Sequence, residues 1–152
     1  MSDFDPVLAA ELALGYYEAL DLAGIAQDLI VEGFDSPSLR LLAGTPREDL
    51  RHEGQDLLER SLHELDIELP EHHDAVLTLA RDTARRMLEG EVAPYDGALA
   101  ILGLRDALSE DELRLEFAYQ AYALEYDIST RQRRAVEKLI LDGARGLLED
   151  ES

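Results

Sequence analysis

The 152-residue chain contains no cysteine, so disulfides, thiolate metal ligands and cysteine nucleophiles are all excluded, and a reducing compartment suits it. Long apolar runs are missing too. None approaches the roughly 20 residues that a membrane-spanning helix needs, and the opening MSDFDP is acidic where a secretion signal would be positive. The expectation is a soluble, unprocessed, cytoplasmic chain. A single lysine, Lys138, stands among the 14 basic residues, a bias that a GC-rich genome or salt adaptation would equally produce.

Basic charge of either kind is absent from residues 1–39, which carry Asp3, Asp5, Glu11, Glu18, Asp21, Asp28, Glu32 and Asp35. Over the whole chain 34 acidic against 14 basic residues give a formal net charge of −20. Such a field repels nucleic acid. It attracts a basic protein, because a field of one sign steers opposite partners and raises association rates at low salt.

Segments of period-two alternation are lacking as well, whereas apolar residues recur at three and four almost everywhere, which predicts an all-α protein. The five prolines sharpen this. Asp5-Pro6, Ser36-Pro37, Thr45-Pro46, Leu69-Pro70 and Ala93-Pro94 each read as a cap followed by the first helical residue, where the amide that proline lacks has no partner to lose. Thr45 to Glu48, Ser109 to Glu112 and Ser129 to Gln132 have the spacing of capping boxes. Helices are therefore predicted at about 6–20, 22–32, 37–43, 46–66, 70–89, 94–107, 110–127 and 130–149. Short connections and a length that buries roughly 68–70% of the unfolded surface predict one compact domain over 1–152, an array of six to eight helices.

Two stretches share a frame. Glu32, Gly33 and Pro37 recur as Glu89, Gly90 and Pro94, 57 positions later. Glycine can take the left-handed conformation that closes a helix, and proline then opens the next. A phosphate cradle would need more glycines and usually a lysine, and the neighbouring glutamates would repel phosphate. The offset fits two related helical halves, and chance similarity between helical turns fits it equally. The second copy, LEGEVAPYDGA from Leu88 to Ala98, resembles a helix-turn-helix segment of small, acidic, uncharacterised all-α bacterial proteins. The resemblance implies a helix end and restart in a bacterial setting, and transfers no catalytic residue.

Glu48, His52, Glu59 and His63 have spacings that place them on one helical face, an arrangement that can hold a metal. The Glu-x-x-His motif of di-iron bundles is absent, however, and opposite Leu50, Leu57, Leu58, Leu62 and Leu65 this face is the wet side of an amphipathic helix. His72 and His73 lie in a first helical turn, where the neighbouring Glu71 and Asp74 complement the positive end. Arg81, Arg85, Arg86, Arg131, Arg133, Arg134 and Lys138 form a late basic group, best read as a surface of weak ion pairs.

Tyr119, Tyr122 and Tyr126 repeat along a helix rich in apolar residues, so they divide between core and contact surface. No Gly-x-Ser-x-Gly, Walker, His-Glu-x-x-His or dinucleotide motif occurs. A catalytic role, a cofactor and a metal are accordingly not assigned. The expectation is a protein-binding module, of the bacterial immunity, antitoxin or DNA-mimic kind, that docks a basic partner through Glu11, Glu18, Asp21, Asp28, Glu32 and Asp35, with the three tyrosines as anchors. Its alternatives are an acidity that serves solubility or salt adaptation and, less favoured, a carboxylate and histidine metal enzyme built on the helix of Glu48, His52, Glu59 and His63. A second copy of the chain remains open as a partner, because the helix at 6–20 is apolar nearly all round.

Overall fold

A computed structural model describes residues 4–18, 20–104, 120, 123 and 130–149. The described residues form seven helices and no strand: α1 (Pro6–Ala13), α2 (Leu22–Glu32), α3 (Pro37–Ala43), α4 (Arg47–Glu64), α5 (His72–Leu88), α6 (Pro94–Leu102) and α7 (Thr130–Glu149). The chain is all-α, as its periodicity predicts. The helix expected over 110–127, the capping boxes beginning at Ser109 and Ser129, and Tyr119, Tyr122 and Tyr126 fall on residues outside those described. Contacts divide the chain into two compact units, residues 1–71 with α1 to α4 and residues 72–152 with α5 to α7.

The prolines act as punctuation. Pro6, Pro37 and Pro94 open α1, α3 and α6. Before the first two, the Asp5 carboxylate accepts from the Val7 amide at 3.1 Å and the Ser36 hydroxyl accepts from Leu39 at 3.1 Å, satisfying donors that a helix start leaves over. Pro46 instead occupies the position before α4, and Pro70 precedes α5 by two residues. The capping box expected at Thr45 does not form. Its hydroxyl donates to the Leu41 carbonyl at 2.7 Å, so it closes α3 and does not open α4.

Helix ends use one device four times. At α2, Gly33 has φ +111, its amide donates to Ile30, and the Phe34 amide reaches back to Leu29 at 2.9 Å, the paired bonds of a left-handed helix stop. Gly90 (φ +81) closes α5 in the same way, with Glu91 bonded to Arg86 at 2.9 Å. The repeated Glu-Gly-x-x-x-Pro frame is therefore a helix stop followed by a helix start in each unit. Asp66 (φ 55) closes α4 with an Ile67 to Leu62 bond, the one non-glycine with positive φ among the described residues.

The fourth stop corrects an expectation. Gly15 (φ +79) ends α1 after Ala13, where the helix was expected to run to residue 20. Tyr16 bonds back to Glu11 at 3.0 Å, and Leu14 to Glu18 lie outside any helix.

A methyl group built on Gly33 or Gly90 meets nothing within 4 Å, so any cost of substitution there comes from the backbone alone. Gly33→Ala and Gly90→Ala are each expected to destabilise by about 1–2 kcal/mol through the positive φ. Urea unfolding of each variant measures this. An unchanged midpoint for both would remove the conformational explanation of the repeated frame.

In the first unit, Leu12, Leu22, Ala26, Leu29, Phe34, Leu39, Leu42, Leu57, Leu58 and Leu62 make one buried cluster, and α3 packs on both α2 and α4. A polar clamp adds to it. Both carboxylate oxygens of Glu64, on the last turn of α4, bind Ser38 at the start of α3, accepting from its amide at 3.0 Å and its hydroxyl at 2.6 Å. The Ser38 hydroxyl, then its amide, hold the Glu64 carboxyl below its ordinary range against a smaller opposing desolvation.

In the second unit, α5 packs against α6 and α7, and α6 also meets α7. Ala75, Val76, Ala80, Ala84 and Met87 are buried on α5, as are Ile140, Ala144 and Leu147 on α7, against which α5 packs. The alanines are fully buried, which lets the two backbones approach. Arg81 donates to the Leu147 carbonyl at 3.3 Å, supplying a partner and a positive charge at the negative end of α7.

Candidate functional site: the acidic surface and the neighbouring cleft

The six carboxylates expected at an interface separate by what they already do. Asp21 caps α2, accepting from the Gly24 amide at 3.1 Å. Asp35 is gripped by Arg40 through two parallel bonds, one of them Nε to Oδ1 at 2.6 Å. That bond, with the guanidinium charge, holds the Asp35 carboxyl below its ordinary range. Glu11 is half-buried on α1 and is engaged in an interaction of its own. These three serve the fold first.

Glu18, Asp28 and Glu32 are exposed and make no ion pair among the described residues. Asp28 and Glu32 stand one turn apart on α2, so like charges face each other with no cation between them, at a small cost to the helix. Val31, 86% exposed, lies on the same outward arc, and Ile30 adjoins it at 37%. Leu41 on α3 is also exposed, at 63%. An aliphatic side chain that open, beside two unpaired carboxylates, can meet both the stem and the charge of a lysine or arginine.

The early end of α1 makes a second feature. Tyr17, Glu18 and Leu20 come beside α4, and a cleft of about 570 Å³ opens there, lined by these three with Leu22, Leu50, Arg51 and Gln55. A second cleft of about 650 Å³ shares Glu18, Leu20, Leu50 and Arg51 with it and continues to Arg47 and Asp21. Burial, and then the Glu59 carboxylate, push the Tyr17 phenol above its ordinary range, so it remains a neutral donor. At the floor, α4 comes so close that a methyl on Gly54 would stand 3.0 Å from Leu22 Cδ1 and 3.5 Å from Leu50 Cδ2.

Sequence reasoning missed this cleft because it read α1 straight through Gly15. The available signal was Gly15 itself, a potential left-handed stop followed by Tyr16 and Tyr17.

The histidine face on α4 is where its spacing placed it: Glu48, His52, Glu59 and His63 are all exposed. Glu59 accepts from Gln55 at 3.1 Å, and among the described residues no three such side chains converge as metal ligands. The late basic group is partly committed, with Arg85 paired to Asp82 at 3.8 Å and Arg86 to Glu91 at 3.3 Å, and Arg145 on α7 pairs with Asp142 at 2.8 Å. No described helix is long and apolar enough to cross a membrane. Comparisons with protein-family models, curated proteins and solved structures gave no match to this chain.

Proposed function

We propose that the chain is an acidic, helical protein-binding module that docks a basic protein partner, in the manner of an immunity, antitoxin-like or DNA-mimic inhibitor. The observation that carries this reading is the outward face of α2, where Asp28 and Glu32 lack a cation and Val31 is almost fully open. Long-range charge brings the partner in, and short-range apolar contact keeps it. A net charge of −20 supplies the first, and Val31 with Ile30 supplies the second.

The test starts with a pull-down using the full chain at low salt, which should retain a basic protein whose association slows steeply toward physiological salt as screening shortens the electrostatic reach to about 8 Å. Changing Glu18 and Glu32 to Gln and Asp28 to Asn together is expected to slow association by roughly tenfold, as charge removal acts mainly on encounter. Val31→Ser should leave the association rate alone and speed dissociation. If nothing basic is retained and folding stability rises with added salt, the acidity serves solvation instead and the proposal fails.

A further inference from the structure

The double cleft of the first unit supports an inference independent of the acidic α2 face. Residues 1–71 contain four arginines. Arg40 is paired with Asp35, and Arg60 with Asp56 at 2.7 Å. The other two, Arg47 and Arg51, make no ion pair among the described residues despite the excess of acids, and both line the cleft. They are one helical turn apart on α4, a spacing at which two side chains can meet one group.

No acid nearby forms an ion pair with them among the described residues. Asp21 is committed to the Gly24 amide, Glu18 makes no ion pair with either arginine, and Glu48 and Asp49 do not line the cleft. With Arg51, the first cleft is lined by Leu20, Leu22, Leu50 and Tyr17, together with the polar Glu18 and Gln55. Leu22 lies close over Gly54 and belongs to the buried cluster, against which Leu50 packs. The two clefts, which share Glu18, Leu20, Leu50 and Arg51, each fall within the roughly 300–1,000 Å³ that small-molecule sites occupy.

We propose that this cleft binds a small amphipathic monocarboxylate, its acid group held between Arg47 and Arg51 and its aliphatic body laid over Leu20, Leu22 and Leu50 toward Tyr17. Arginine suits the acid because its planar fork matches a carboxylate. Glu18 on the wall disfavours a dianion such as phosphate and leaves a single negative charge as the better fit. The floor offers leucine methyls to an alkyl chain and no charge to a polar one.

Calorimetric titration of the full chain with decanoate, 1-decanol and decylamine, each kept below its aggregation limit, tests this. Decanoate is expected to saturate one site with a Kd below about 1 mM, and decanol to bind at least roughly tenfold more weakly for want of the charged bonds. Arg47→Gln and Arg51→Gln should each weaken decanoate by roughly tenfold while circular dichroism is unchanged. Glu18→Gln should tighten it by removing a like charge. Methyl resonances of Leu20, Leu22 and Leu50 should shift on titration, which locates the site without relying on the variants. Equal affinity for decanoate and decanol, unaltered affinity in both arginine variants, or a preference for decylamine would each overturn the assignment, the last by handing the cleft to a cationic group.

Discussion

Leu58→Ala is expected to cost the first unit about 2–5 kcal/mol, the range for truncating a fully buried leucine. Leu58 has no exposed surface and lies in the middle of α4, where it joins the cluster that α2, α3 and α4 share. Truncation removes transfer free energy and leaves a cavity, and the surrounding leucines can only partly collapse into it. Leu41→Ala is the control. With 63% of its surface exposed, Leu41 should change stability by no more than about 0.5 kcal/mol. Urea unfolding gives the totals, and hydrogen exchange on the α2 to α4 amides shows where protection is lost. Equal effects at Leu58 and Leu41 would mean that the cluster is not the core of this unit.

Gly97→Val is the corresponding expectation in the second unit, and its cause is overpacking. A side-chain carbon at Gly97 on α6 would collide with Sδ and Cγ of Met87 on α5, a residue 3% exposed. Forcing extra carbon into a packed core costs about 1–3 kcal/mol, and the two further methyls of valine take the effect to the top of that range or beyond. The small gain from replacing glycine within a helix, under about 1 kcal/mol, does not offset it. Because the three nearest atoms all belong to Met87, Met87→Ala should relieve the clash. The double variant is then more stable than the two single losses predict when added, a coupling of at least about 1 kcal/mol. Strict additivity would show that Gly97 is needed for some reason other than the approach of Met87.

Glycine thus plays roles that no single rule read from the sequence separates. Gly33 and Gly90 were legible because each is followed by a proline that opens the next helix, and both φ values are positive as that pattern requires. Gly15 has no such sequel, so the helical pattern of α1 seemed to continue past it. The cleft beside α4 was lost with that one residue. Gly54 and Gly97 are needed for the neighbour each meets, Leu22 and Met87, and neither neighbour is close in sequence. Thr45 had the spacing of a capping box, but its hydroxyl found the Leu41 carbonyl first, a competition between two local bonds that spacing alone cannot decide.

The acidic surface divides along the same line. Its charge is a sum over the chain and is complete in the sequence, as are the helical class and the starts of α1, α3 and α6, because propensity, capping and proline geometry act within a few residues. Which carboxylates are left over for a partner is a matter of packing. Asp35 meets Arg40, Asp21 caps α2, Glu64 clamps Ser38, and Asp28 and Glu32 are left without cations. The same holds for Arg47 and Arg51, ordinary surface residues in the sequence, which become a pair over an apolar floor only once the chain after Gly15 lies beside α4. Local energies are written in neighbouring residues. Whether a charge is already paired, and what it faces, depends on contacts between distant segments, which only the tertiary structure sets.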